Sequence, residues 1–231
     1  MTSKIVVIGD IHGHDTWKRI MQANGDATEF VFIGDYFDSF SISHAEQIFN
    51  FKEIIKWKEA SKIKVTMLIG NHEFHYMSDC GGRYGGYNYM FAPEIAELLR
   101  ENKNHLQVAY SVGRYLFSHA GVSKQWYESV FPDNNRLGDV ADQVNELWKW
   151  DKRSFNHSGL NIYGDAPEEG PLWIRPRALR SSPLHGSWIQ IVGHTHMHQI
   201  DHDDNHYFID TLPYEYLTIE NNKPIIHSLR N

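Results

Sequence analysis

Five short apolar runs in this chain end in the same way, and that shared ending constrains the fold more than any bulk property. I-V-V-I-G-D-I-H-G-H covers 5–14, V-F-I-G-D-Y-F-D covers 31–38, T-M-L-I-G-N-H-E covers 66–73, Y-L-F-S-H-A-G covers 115–121 and I-Q-I-V-G-H-T-H covers 189–196. Each reads as a short buried strand that stops abruptly, four times at glycine, and then delivers Asp, Asn or His. Parallel sheets place ligand sites in the crevice beyond the carboxyl ends of their strands. Five strands ending this way can therefore bring their polar side chains to one place.

Strands are expected at 4–8, 30–33, 64–69, 106–110, 114–118, 188–192, 206–209 and 215–219. Residues 15–23 and 44–61 carry apolar residues at helical spacing, with Ile48, Phe51, Ile54, Ile55 and Trp57 forming the second stripe. The first half thus reads strand, helix, strand, helix, strand, the pattern of parallel sheet with crossover helices. Later strands are joined by turns, with a hairpin expected at 215–227 around N-N-K-P. Residues 74–93, rich in glycine and aromatics, read as a long loop beside the site. Residues 123–187 hold one expected helix, 139–150, in a loop-rich stretch that would make a poor independent core. It reads as an insertion covering the pocket, so the expected organisation is a single domain over 1–231.

The composition suits such a domain. Of 231 residues, 41% are hydrophobic, with 12 Phe, 12 Tyr and 7 Trp to build a core. A net charge of −7 argues against extended nucleic-acid binding or a membrane-surface role. The single cysteine, Cys80, forms no intrachain disulfide, and no apolar run approaches the roughly 18 residues of a membrane span. With no signal-peptide pattern at the start, a cytoplasmic location is expected.

The donors in the five motifs are Asp10, His12, Asp35, Asp38, Asn71, His72, His119, His194 and His196. Mixed carboxylate and imidazole sets suit Mn, Fe or Zn better than Ca. They are too many for one tetrahedral ion, whereas two ions about 3.5–4 Å apart and sharing a carboxylate would use them.

In this order, G-D-I-H-G, G-D-Y-F-D, G-N-H-E, S-H-A-G and G-H-T-H resemble the motif series of the calcineurin-like metallophosphoesterase superfamily. The resemblance spans 5–196, and G-D-x-H-G with G-N-H-E looks most like the phosphoprotein phosphatase branch (Ser/Thr protein phosphatases) in its bacterial and phage forms. It implies an α/β fold, a four-layer α/β/β/α sandwich with a dimetal centre at the strand ends. Carried over by position, it implies that Asp10, His12 and His196 hold one metal, Asn71, His119 and His194 the other, and Asp35 bridges both. It further implies two divalent ions, Mn first among them, that activate a bridging hydroxide for in-line attack on phosphorus. His72 would protonate the departing alkoxide, with Asp38 orienting its imidazole.

The departures bear on substrate. Ser39 and Phe40 stand where the branch has Arg-Gly, and Ile69 stands where it has Arg, so two phosphate-clamping arginines are missing. Arg175, in W-I-R, and Arg83, after G-N-H-E, are the candidate replacements, since a guanidinium grips two phosphate oxygens. His14, His75 and His198 read as outer or surface groups, and Asp210 with Thr211 as structural. Tyr76, Tyr84, Tyr87 and Tyr89 offer faces on which a base could stack. The leading expectation is a phosphomonoesterase acting on a phosphoprotein or small phosphate ester. A phosphodiesterase or dinucleoside-polyphosphate hydrolase is the alternative, and a scaffold without chemistry is the reading from a different class.

Overall fold

A computed structural model describes residues 3–77, 84–132, 139–161 and 165–230. One sheet is built from β1 (Lys4–Ile8), β2 (Glu29–Phe32), β3 (Lys64–Leu68), β4 (Leu106–Gln107), β10 (Glu215–Glu220) and β11 (Lys223–Ser228), in the order β11-β10-β1-β2-β3-β4. The run β1 to β4 is parallel, while β10 pairs antiparallel with β1 and with β11. The parallel expectation therefore holds for the first half. The second sheet is β5 (Ala109–Val112), β6 (Tyr115–Ser118), β7 (Ile189–Val192), β9 (His206–Phe208) and β8 (Asp201–His202), in the order β5-β6-β7-β9-β8. Each sheet as a whole is mixed, since β7 pairs parallel with β6 and β9 of the second sheet while the β5–β6 and β8–β9 pairs are antiparallel.

The alternation of side chains along the strands explains the layers. Ile5, Val7, Val31, Ile33, Leu68, Leu217 and Ile219 meet Tyr115, Phe117, Ile189 and Ile191 of the other sheet in one buried cluster. The opposite face of the first sheet, with Val6, Ile8, Phe30, Phe32 and Met67, packs on helices α1 (Thr16–Ala23), α2 (His44–Ala60) and α4 (Ala92–Glu101). The short α3 (Asn71–Phe74) follows directly on β3. Beyond the second sheet, Leu116, Val192 and Phe208 pack against α5 (Lys124–Val130), α6 (Val140–Trp150) and α7 (Pro176–Ser181). The result is the four-layer sandwich. Strands covered on both faces are largely apolar, which is why the five runs show little polar alternation; Thr66, Ser118 and Gln190 are buried polar exceptions.

Local signals set several boundaries. Ser43 and Glu46 form a reciprocal capping box at the start of α2. Asn221 and Asn222, both at positive φ, make the two-residue turn between β10 and β11 that strand twist favours. Residues 106–110 are not the single strand expected. The chain changes sheets at Val108, and Asn145 of α6 accepts from the amides of Val108 and Ala109 and donates to the Ala109 carbonyl. A tertiary contact creates that corner, so the local sequence does not mark it. The helices α4, α5 and α7 also lie outside the sequence expectations, although in α4 Ile95, Leu98 and Leu99 have the required spacing. Among the described residues no helix is long and apolar enough to cross a membrane.

Candidate metal centre

The turns after β1, β2, β3, β6 and β7 converge. His12, Asp35, Asn71, His72, His194, His196 and Arg175 line one pocket of about 620 Å³, together with Tyr84, His157, Trp173 and Asp210. Buried Asp10 and His119 lie against its floor, with one donor atom of each of Asp10, Asp35 and His119 within 4.8 Å of the others. Asp35 belongs to a second such group with His12 and His72, so it stands between two sets of donors.

The backbone is bent to achieve this. His12, Asp35, Asp38 and His194 sit at φ of 40°, 50°, 66° and 65°, where residues with a Cβ are seldom found. Two glycines make room. A Cβ on Gly70 would lie 2.0 Å from Asp35 Oδ1, and one on Gly193 would lie 1.9 Å from Asp10 Oδ1. Glu73 of α3 braces the turns from within. Its carboxylate accepts from the amides of Asp35 at 2.8 Å, Tyr36 at 2.7 Å and Gly70 at 2.9 Å.

Hydrogen bonds set the faces the imidazoles present. His12 Nδ1 donates to the Phe37 carbonyl at 2.7 Å and His119 Nδ1 to the Ile33 carbonyl at 3.2 Å, which turns both Nε2 atoms toward Asp35. Such outer bonds fix tautomer and ring direction in metal-ligating histidines. His119 Nε2 and His194 Nδ1 lie 2.8 and 3.0 Å from Asn71 Oδ1, so these three donors point at one another. The His194 amide donates to Asp10 Oδ2 at 2.9 Å, whereas Asp10 Oδ1 is buried with no hydrogen-bond partner among the described residues. His196 is the most exposed of the set, with its Nδ1 3.6 Å from Asp210 Oδ1.

Charge is equally concentrated. Burial, then the charges of Asp210 and Asp35, push the Asp10 carboxyl well above its usual range. Burial acts the same way on Asp35, but His119, His72 and His12 outweigh it and hold that carboxyl well below the usual range. Burial lowers His194, helped by the charges of His119 and Arg175. For His72 burial is outweighed by Asp35 and Asp38, which raise the imidazole to about 9. An orphaned buried carboxylate oxygen, crowded acids and lone pairs turned inward suit divalent cations, which invert this balance by favouring the ionised forms. The residues present fit a dimetal group.

Behind the pocket, His72 Nδ1 donates to Asp38 Oδ2 at 2.8 Å. Arg175 reaches the pocket, with Nη1 3.3 Å from Thr195 Oγ1. Arg83 and Cys80 lie outside the described residues. Ile69 is buried among Phe74, Val108 and Leu116, an environment that would refuse an arginine. Tyr76 is not a stacking face for substrate; it is buried and bonds Asp38. His75, read as an outer or surface group, is buried on the same carboxylate. His14 and His198 are not among the pocket's lining residues. Asp210 lines the pocket, whereas Thr211 bonds backbone carbonyls and is structural. Sequence reasoning misses Glu73, although a Glu three residues after Gly70 has the spacing of a helix-start acceptor.

The profile of the family described as calcineurin-like phosphoesterase matches residues 3–218. The chain belongs to the calcineurin-like phosphoesterase family. That family is dimetal-dependent and hydrolyses phosphoesters. Within it the similarity falls on the phosphoprotein phosphatase branch. A protein phosphatase 2A catalytic subunit of Dictyostelium discoideum is 28% identical over 127 residues, 52% of this chain and 39% of that protein, so the match spans about two fifths of that relative. The cold-active protein-tyrosine phosphatase of a Shewanella species shares the fold at TM-score 0.63 and 18% identity, over 100% of this chain and 81% of that one. A protein serine/threonine phosphatase from Saccharomyces cerevisiae gives TM-score 0.58 and 16% identity, over 99% and 80%.

Proposed function

We propose that this family member is a dimetal-dependent phosphomonoesterase, acting on phosphoproteins or small phosphate esters. The observation that carries the reading is Asp35, buried and shared by two donor groups, one with His12 and His72 and the other with Asp10 and His119. Asp10, His12 and His196 would hold one ion and Asn71, His119 and His194 the other, with Asp35 shared and Mn the first choice of metal. Bound there, divalent cations supply neutralisation of phosphoryl oxygens and a lowered pKa for water. Arg175 grips the phosphoryl group from the pocket wall, a task for which the planar guanidinium is suited. Arg83 is the second candidate for this role.

His72 acts as the acid. Its Nδ1 proton is committed to Asp38, so Nε2, 3.9 Å from Asp35 Oδ2, is the atom that faces the pocket and holds the transferable proton. As the bond from phosphorus to the leaving oxygen breaks, that oxygen keeps the electron pair and takes the Nε2 proton. Water contributes the new oxygen on phosphorus, and the proton it gives up is returned through solvent to His72 Nε2, which restores the acid. The products are an alcohol and inorganic phosphate.

Residues 1–231 work here as one unit, with 123–187 capping the pocket; His157, Gly159, Trp173 and Arg175 of that segment are among its lining. The absence of arginine at 39 and 69 favours the second reading, a phosphodiesterase, because a diester brings less charge to be clamped.

The test is hydrolysis of a 4-nitrophenyl phosphate monoester and the matching diester by chelated, Mn-reconstituted protein, with Asn71→Ala as control. Monoester turnover that is lost in the control is expected. A strong preference for the diester would move the assignment to the second reading, and neither activity nor bound metal would leave a scaffold.

A further inference from the structure

Asp38 carries more hydrogen bonds than orienting one histidine requires. Its Oδ2 accepts from His72 Nδ1 at 2.8 Å and from His75 Nε2 at 2.6 Å, and its Oδ1 accepts from the Tyr76 hydroxyl. The carboxylate and its two inner donors lie out of water: Asp38, His75 and Tyr76 are 2%, 5% and 3% exposed, while His72 faces the pocket. The two nitrogen–oxygen separations are direct hydrogen-bond lengths and leave no room for an ion between the groups, although Asp38, His72 and His75 all carry metal-ligating atoms.

The surroundings hold this arrangement from several directions. His75 packs edge-on to Tyr76 at 4.5 Å and Tyr87 at 5.1 Å, and Tyr76 stacks on Tyr87 at 4.8 Å. The Asn88 amide donates to the Tyr76 hydroxyl at 3.1 Å, which orients that hydroxyl's own proton toward Asp38. Gly86, at φ 91°, lies against the dyad so closely that a Cβ would be 2.8 Å from Asp38 Cβ and 3.4 Å from His72 Cε1. A carboxylate gripped at both oxygens cannot rotate about its own axis, and the imidazole bonded to it keeps one direction.

We propose that His75 and Tyr76 are positioning residues for proton donation by His72, acting through Asp38; this rests on the reading of His72 as the acid. His75 Nε2 and the Tyr76 hydroxyl fix the carboxylate plane. The carboxylate then fixes the His72 ring with Nδ1 protonated, and Nε2–H is aimed at the leaving oxygen when the phosphorus–oxygen bond breaks. Neither positioning residue touches the substrate or loses a proton in the step.

The need for an acid depends on the leaving group, and that dependence separates positioning from mere stability. The test uses the full chain loaded with Mn, measuring kcat and KM on 4-nitrophenyl phosphate, whose leaving oxygen departs without a proton, and on an alkyl phosphate, whose leaving oxygen needs one. His75→Leu and Tyr76→Phe are expected to slow the alkyl ester by roughly tenfold more than the nitrophenyl ester, in kcat and not KM. His75→Gln, which keeps a donor at similar reach, is expected to restore most of the loss. Tyr76→Phe is nearly isosteric and keeps the test open if His75→Leu does not fold. Equal losses on both esters, with His72→Asn still selective for the alkyl ester, would overturn the proposal alone. Equal losses in His72→Asn itself would overturn the acid reading and this proposal together.

Discussion

Six residues other than glycine hold positive φ among the described residues, and they divide between two regions. Asn221 and Asn222 form the tight turn of the β10–β11 hairpin, while His12, Asp35, Asp38 and His194 surround the candidate metal centre. The hairpin uses the residue type that enters this conformation with least strain, so its geometry is a local matter. At the centre the same backbone state is imposed on residues chosen for their side chains. There it persists because the surroundings over-determine it: the Glu73 carboxylate binds three amides, glycines admit the carboxylates, and the His72 amide donates to Asp35. One region is nearly unstrained and carries no chemistry, whereas the other stores strain where ligands must converge.

The largest expected effect lies at the point where the donor groups meet. Asp35→Asn should lower kcat by roughly 10³-fold or more, the scale of several kcal/mol in metal charge stabilisation. Metal content per chain should fall with it, measured by elemental analysis; full metal and near-normal turnover would remove Asp35 from the bridging role proposed for it. Gly70→Ala tests whether strain at the centre depends on missing side chains. The added Cβ meets Asp35 Oδ1 and its backbone nitrogen, so the unfolding free energy should drop by about 1–3 kcal/mol. Activity should fall by roughly 10²-fold as the ligands shift by a fraction of their contact distance. An unchanged kcat would show that the turn tolerates relaxation.

Metal removal should couple stability to pH in a definite direction. Burial and the Asp35 charge push Glu73 from 4.5 up to about 7, and Asp10 and Asp210 are pushed upward as well. Ionising a carboxyl whose folded pKa is raised costs stability, a cost absent below the unfolded value and complete above the folded one. His72, raised to about 9, contributes in the same sense, because its stabilisation is full below its ordinary 6.5 and is lost as pH climbs through 9. His194, held well below its ordinary 6.5, acts in the opposite sense only below that value, so the metal-free protein should weaken as pH rises above about 7, and added Mn should raise Tm more at pH 9 than at pH 7. Calorimetry showing equal shifts at both would contradict the charge balance. Smallest is the change at the hairpin. Asn221→Ala should cost about 1 kcal/mol in denaturant unfolding with kcat unaltered; altered kinetics there would break the division between the two regions.

Much of the centre is legible in the sequence because metal ligands are scarce residue types at repeated strand ends. The donors at 10, 12, 35, 71, 194 and 196 all follow short, mainly apolar runs that mark strands covered on both faces. Less legible are the residues that hold the donors in place. His75 and Tyr76 stand in a Gly- and Tyr-rich stretch with no period, and nothing in it signals that both reach back 37 and 38 residues to Asp38. The corner at Val108 is invisible for a similar reason, since Asn145, the side chain that pins it, lies on a helix 37 residues further on.

By itself, the sequence determined the five motif-bearing strands, their terminal donors, helix α2 and the two-asparagine turn, because each depends on neighbours within a few residues. Only the tertiary structure decided that each sheet is mixed, that Asp35 stands between two donor groups, and that Asp38 is held by three side chains. Those outcomes depend on contacts between segments tens to hundreds of residues apart. Burial converts such contacts into fixed geometry, since polar groups removed from water must find one another.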